Sequence, residues 1–378
     1  MRARIVTSPD AARLRTWDAL VAATPGTDVN QLSAWARVRA SVGYGAVYVF
    51  ADEGDHLVGG AQVLVRRLSL GLRLSYLPSG PVVAADVEDR AGVVAVLADA
   101  LTRLARPGRP LFVQPPDDAE DCSRALLARG FRTSHAGISP AGSLRLDLTR
   151  SEDELRAGLG RRLRYWTTKW PERGVCVRRG GPDDVALLAE LMAHTARHQG
   201  YQPLPGSYVE TFFRELAPAG HAVLFIGEVR GRPVAADLLT GCGGVIKGRL
   251  GGFDRSGEAS KLSVPGATRW EAIRWAKRQG YRWFDFGGID TGMLVDLLAG
   301  ATANEDAWPS ADRAKLSFGG RPYAYPPAVE LIRPRLLSSG YDSLRGTDRG
   351  SRLLDVLSQR MRGASVRVVG SQPRPRPK

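Results

Sequence analysis

Apolar positions at helical spacing run through TSPDAARLRTWDALVAA and again through QLSAWARVRASVGY, with Thr24-Pro25-Gly26 breaking the two apart, so the chain is predicted to open on a helix pair. The period then changes. In AVYVFADEGDHLVGGAQVLVRRL two apolar, β-branched runs flank Glu53-Gly54-Asp55, the pattern of a hairpin. LRLSYLPSGPVVA reads as a strand stopped by Pro78, Gly80 and Pro81, and DRAGVVAVLADALTRLARPG as an amphipathic helix. PLFVQPP is a short strand, RALLARGF a helix ended by glycine, and SLRLDLTR a closing strand.

The second half repeats this grammar. Helix LGRRLRYWTTKWPERG leads to strand VCVRR, then to the helices DDVALLAELMAHTARHQGY and PGSYVETFFREL. The segment AVLFIGEVRGRPVAADLLTGCGGVIKGRLGG turns at Arg230-Gly231-Arg232, and helix PGATRWEAIRWAKRQG feeds strand RWFDFGG. Helix pair, hairpin, helix and strand, twice over, predict two α/β units of one pattern without a residue-level repeat.

RWFDFGGIDTG ends a buried-looking strand on Gly287 and Gly288, which lets a backbone or a substrate come close to the strand end. A plain β-bulge is the other reading. Asp285 alternates with Trp283 and Gly287, so the pleat fixes its face and an arginine or the backbone is its expected partner.

At 378 residues, 43% hydrophobic and 24% charged, the chain suits a soluble protein of two domains, and no apolar run is long enough to cross a bilayer. The N-terminal MRARIVTSPDAARLRTWDAL lacks the apolar core of a secretion signal, so a cytoplasmic protein is expected. Cys122, Cys176 and Cys242 are far apart, which argues against disulfides and zinc and for three buried thiols. Fifty-three Lys and Arg against 39 Asp and Glu give a net charge of +14. That surplus fits polyanionic partners, or a generally Arg-rich composition. Part of it is concentrated: Arg360, Arg362, Arg367, Arg374, Arg376 and Lys378 lie in a Pro-rich C-terminal stretch without one acid, expected to be a disordered basic tail over 361–378.

From about residue 29 to 325 the chain resembles the FemAB family of aminoacyl-tRNA-dependent peptidyltransferases. The likeness rests on WEAIRWAKRQGYRWFDFGGID and the later AKLSFGG, on QLSAWARVRASVGY near the start, on LVGGAQVLVR and YLPSGPVV, and on RRLRYWTTKWPERGVCV and HTARHQGY. It implies an α/β (α+β) protein of two GNAT-like domains, each a mixed, mostly antiparallel sheet flanked by helices. They would span 1–150, completed by 321–360, and 151–320. No room is left for the coiled-coil arm of longer members.

The resemblance also implies a reaction: an amino acid carried by aminoacyl-tRNA is joined to the amine of a lipid-linked or UDP-linked muropeptide. No cofactor is needed, and a monomer working at the inner face of an anionic membrane is expected. Aminoacyl transfer passes through a tetrahedral oxyanion. Lys315 matches the family lysine that stabilises it, although without the resemblance a strand-edge lysine facing solvent is the plainer reading. Asp290 is the candidate to take the amine's proton. Arg39, Arg197 and Tyr201 match acceptor-binding positions, the last two spaced four apart on one helix face, and Gly287, Gly288 and Phe318 the acyl channel. His194 and His198 have the spacing of metal ligands but no third partner in the sequence, so surface histidines are expected.

Two stretches depart from the family. VIKGRLGGFDRSG lacks its tyrosines, and Gln114-Pro115-Pro116-Asp117-Asp118 replaces its aspartate-proline, which puts the acceptor in question. The alternatives are a natural-product amine as acceptor, a GNAT N-acyltransferase using acyl-CoA, or a nucleic-acid-binding protein. For acyl-CoA, Arg249-Leu250-Gly251-Gly252-Phe253-Asp254 misses the pyrophosphate-holding turn at its last position.

Overall fold

The computed structural model describes residues 1–67, 73–301, 307–345 and 347. The expected tail at 361–378 lies outside them.

Two mixed sheets flanked by helices build the molecule, as the pattern predicts. In chain order the first half comprises β1 (Arg2–Val6), α1 (Ala11–Ala23), α2 (Ser33–Ala40), β2 (Tyr44–Glu53), β3 (His56–Arg67), β4 (Arg73–Leu77), β5 (Val82–Val83), α3 (Arg90–Leu104), β6 (Leu111–Val113), α4 (Glu120–Leu127) and β7 (Arg132–Thr133). Next come β8 (Gly142–Asp147), α5 (Glu152–Ala157), α6 (Arg161–Lys169), β9 (Val175–Gly180), α7 (Val185–Gln199), α8 (Gly206–Leu216), β10 (Ala222–Val229), β11 (Arg232–Cys242) and β12 (Val245–Phe253). The chain continues with α9 (Val264–Arg278), β13 (Trp283–Gly288), α10 (Thr291–Leu298), α11 (Ser310–Leu316), β14 (Arg321–Ala324), β15 (Val329–Leu331) and α12 (Arg335–Arg345).

The first sheet has the order β1-β2-β3-β4-β6-β15-β7, with β5 also on β3, and the second β14-β8-β13-β12-β11-β10-β9. Each holds one parallel pair, β4 with β6 and β12 with β13, joined over a crossover helix, α3 or α9. The sheets do not change over at residue 150. Strand β8 already belongs to the second sheet, where it lies between β13 and β14, and β15 then returns to the first.

The helix pairs α1–α2 and α7–α8 meet between the sheets. Trp17, Val21 and Trp35 share one core with Leu188, Phe212, Leu224 and Leu238, and Trp35 packs edge-on to Phe212 with ring centroids 5.6 Å apart. Burial of these side chains, each worth about 1.5–3 kcal/mol, fixes one half against the other and so sets the walls of the space between them. Cys122 and Cys242 are buried as expected. Cys176 is exposed, because β9 is the edge strand of its sheet.

Candidate functional site

The parallel strands β12 and β13 are paired only at Val245↔Trp283, Ile246↔Phe284 and Lys247↔Asp285. Past Lys247, β12 stays with β11 while β13 stays with β8, with a register shift between Asp285 and Gly288. The two strands splay, and among the described residues no strand pairs with the β13-facing edge of β12 past Lys247.

Both glycines are dictated by this opening. Gly287 takes φ +80°, and a Cβ on it would come within 3.3 Å of the Gly248 carbonyl oxygen. A Cβ on Gly288 would stand 2.4 Å from Pro140 Cβ. The bulge and the close approach are therefore one feature.

At the splay a cleft of about 490 Å³ opens between the two halves. Gly287 and Gly288 lie in its floor. Asp28, Asn30 and Asp117 line it from the first half, and Lys247, Arg249 and Tyr325 from the second or the returning chain.

A buried charge network surrounds that floor. Asp28 accepts from Lys247 Nζ at 3.1 Å, from the Asn30 N–H at 3.0 Å, and from Arg249. Asp285 is fully buried and accepts from Ser143 Oγ at 2.5 Å, the Gly287 N–H at 2.8 Å, Tyr325 Oη at 2.9 Å and Arg145 Nε at 3.0 Å. Arg145 also donates to Asp117, and its guanidinium lies 3.6 Å over the Tyr323 ring. The expected partner of Asp285, an arginine or the backbone, is here both.

Burial alone would push the Asp28 and Asp285 carboxyls up. Arg249 and Lys247 at Asp28, and Lys247 and Arg145 at Asp285, more than offset it, so both stay below the ordinary carboxylate range. Burial also works against charge on Lys247, yet Tyr325, Asp28 and Asp285 raise it above the usual lysine value. At Asp117 burial wins over Lys247 and Arg145, and its carboxyl is raised. Burial pushes the Cys242 thiol in the cleft wall up to about 12, so it is no nucleophile at neutral pH. Asn30 Oδ1 is buried in the cleft wall with no hydrogen-bond partner among the described residues.

Lys315 lies on a helix, α11, rather than on a strand edge, because Pro309 and Ser310 start a turn that Asp312 and Lys315 continue at i, i+3. Its Nζ donates to the Gly288 carbonyl at 2.7 Å and to Asp312 Oδ1 at 2.9 Å. Asp312 Oδ2 accepts from the Asp290 N–H at 3.0 Å, and the Asp290 carboxylate caps α10 through the Met293 N–H at 3.0 Å. The structure thus brings Lys315 and Asp290 together, in a brace behind Gly288 and outside the residues that line the cleft. The Asp290 carboxylate is engaged as a helix cap.

Arg39 and Tyr201 line the cleft. Arg39 is buried, with its guanidinium 4.4 Å over the Tyr44 ring. Arg197 is exposed and outside the wall. The helix ends at left-handed Gly200, where the Tyr201 N–H turns back to the Ala196 carbonyl, and so the i, i+4 relation of Arg197 with Tyr201 is lost. Phe318 packs in the core against Phe286, centroids 5.3 Å apart, instead of forming a channel wall. His194 and His198 are exposed, and no group of three potential metal ligands occurs among the described residues.

Lys247, Arg249, Asp28 and Asn30 were not singled out from the sequence as site residues. The available signal was Lys-Gly-Arg alternating inside an apolar strand, which puts both cations on one face.

Residues 155–293 match the acetyltransferase (GNAT) domain model. The lipid II:glycine glycyltransferase of Staphylococcus saprophyticus is 27% identical over 236 residues, 58% of this chain and 56% of that protein. That of Staphylococcus aureus strain MRSA252 is 27% identical over 224 residues, 55% of this chain and 52% of that protein. The chain therefore spans about half the length of the curated relatives it matches. The crystal structure of FemX superposes with a TM-score of 0.75 at 18% identity, covering 90% of this chain and 99% of that one, which establishes the fold. The chain is thus similar in sequence to the lipid II:glycine glycyltransferases and shares the fold of FemX, with a GNAT domain match in its second half.

Proposed function

We propose that this protein transfers an amino acid from aminoacyl-tRNA to the amine of a peptidoglycan precursor, with the new peptide bond made in the cleft at the β12–β13 splay. The observation that carries the reading is the unpaired edge of β12 past Lys247, faced by a floor free of side chains and bordered by fixed cations. The names of the staphylococcal relatives supply the acceptor class, a lipid-linked cell-wall precursor bearing an amine.

An ester already activated on tRNA needs no protein nucleophile, so the residues have three tasks. The acceptor is held, its amine is aimed at the ester carbonyl, and the oxyanion that forms is stabilised. Asn30 Oδ1 accepts an N–H of the attacking amine, which fills its hydrogen-bonding capacity. Lys247 faces the cleft, whereas Lys315 holds the Gly288 carbonyl and has a third N–H beyond the two already engaged. Lys247 is the candidate for the oxyanion from the cleft wall, and Lys315 the candidate from behind the floor, which can reach it only past Gly288. Arg39 and Tyr201 contact the acceptor. As the bond forms, the C–O bond to tRNA breaks, and the amine's proton leaves with solvent or with the departing ribose hydroxyl.

The GNAT domain match raises acyl-CoA as another donor. Against it, Arg249 to Asp254 runs along β12 to the residue just past it, so these residues are strand backbone and form no turn into a helix around a pyrophosphate. Incubation with charged tRNA and lipid-linked or nucleotide-linked muropeptide, with and without ribonuclease, tests the reading. Product that vanishes on ribonuclease treatment supports it; product that needs acyl-CoA and survives ribonuclease overturns it.

A further inference from the structure

Helix α12 turns its leucines to solvent. Leu336, Leu337 and Leu344 are 84%, 43% and 48% exposed, and with Gly340 they fall on one stripe of the helix. Another side is tied to the body: Asp342 accepts from Arg132 at 2.7 and 2.8 Å, and the Tyr341 ring lies 5.9 Å from the Arg132 guanidinium.

Next to the start of this helix lies a knot of arginines. The Gly108 N–H donates to the Arg333 carbonyl at 3.3 Å, and the Arg73 N–H to the Gly108 carbonyl at 3.0 Å, within the turn that joins Arg106 to Arg109. Arg109 is half-buried. Burial, then the nearby Arg73 and Arg106, lower its proton affinity, as expected where like charges are held close. None of Arg73, Arg106, Arg109 and Arg333 has an ion pair among the described residues. A leucine stripe in water beside clustered, uncompensated cations is unfavourable unless a surface both apolar and anionic covers it.

We propose that α12 and the Arg73–Arg106–Arg109 cluster together form a docking surface for an anionic lipid bilayer, with the leucines at the headgroup boundary and the arginines on lipid phosphates. No helix among the described residues is long and apolar enough to cross a membrane, so the contact lies in the plane of the interface. The sequence beyond adds to the match, since Arg360 to Lys378 holds six cationic residues and no acid. These residues are all outside the cleft, so the surface stands independently of the transfer reaction.

The full-length protein, freed of RNA with ribonuclease, is sedimented with phosphatidylcholine vesicles containing or lacking phosphatidylglycerol, with no substrate present. Binding to the phosphatidylglycerol vesicles alone is expected, weakening with salt. Reversing two exposed cations in R73E/R106E should weaken it by roughly fivefold or more per arginine. L336E should weaken it strongly at an unchanged melting temperature, that side chain being 84% exposed already. Wild-type binding by both variants overturns the proposal and assigns the contact to residues 360–378. So does the absence of binding to the phosphatidylglycerol vesicles by the wild-type protein.

Discussion

The Lys315 ammonium donates to the Gly288 carbonyl at 2.7 Å, which places a cation directly behind the last residue of a strand whose end forms the cleft floor. Asp312 shares that ammonium and also holds the Asp290 N–H, so the charge is fixed in place before any substrate arrives. Preorganised donors of this kind are worth more to a transition state than to a ground state. Lys315→Met should therefore cut turnover by about 10²–10³-fold while the KM for the acceptor moves little. Steady-state kinetics on both variants separates the two candidate ammonium groups: if Lys247→Met shows that signature instead, the oxyanion lies on the β12 side. An equal loss of turnover and acceptor binding in Lys315→Met would make its role structural.

The two floor glycines should fail in different ways. Gly287→Ala forces a side chain into a left-handed conformation, a cost of about 1–2 kcal/mol visible in chemical denaturation. Gly288→Ala sets a Cβ against Pro140, next to Ser139 in the cleft wall, so the wall must move. Its turnover should fall more than its stability does. A Gly288→Ala variant with wild-type turnover would remove the floor from the proposed chemistry.

Acceptor recognition offers a contrast between residues the sequence grouped together. Arg39 and Tyr201 are in the cleft wall and Arg197 is not. Tyr201→Phe should raise the acceptor KM several-fold, as the loss of one hydrogen bond of about 1 kcal/mol would. Arg197→Ala should leave KM within about twofold, the usual range for an exposed side chain. Titration of the acceptor against each variant checks both.

The elements that were legible in the sequence are those with local causes. Glu53-Gly54-Asp55 and Arg230-Gly231-Arg232 announce their hairpins because tight turns need such residues, and both hairpins form, each with one register shift close to its turn. β1 was missed because RARIV is short and charged, and becomes a strand only by pairing with β2. SLRLDLTR reads as a strand that closes the first half, whereas β8 lies between β13 and β14, since nothing local tells a closing strand which sheet it will close. The glycine floor was visible as a sequence oddity, but its cations were not. Lys247 meets Asp28 across 219 residues of chain, a contact that exists only after the α1–α2 and α7–α8 pairs have packed together.

The buried charges should also give the protein a distinct acid response. Asp28 has its carboxyl held below the ordinary value of 3.8, and Asp285 likewise. A carboxylate with a depressed folded-state pKa adds stability that is fully present above the unfolded value. That stability is lost as pH falls from there through the folded value, because the unfolded chain takes up the proton first. The window is therefore below about pH 4, where each such group steepens the loss by up to about 1.4 kcal/mol per pH unit. Asp28→Asn removes one proton site and leaves Lys247 and Arg249 without their shared partner. At pH 7 it should be destabilised by about 3–5 kcal/mol, the cost of breaking a buried pair. Below pH 4 its stability should fall less steeply than that of the wild type. Denaturant titrations between pH 2.5 and 7 on the two proteins measure both effects, and parallel curves across the acid range would mean that Asp28 is not held ionised by its two cations.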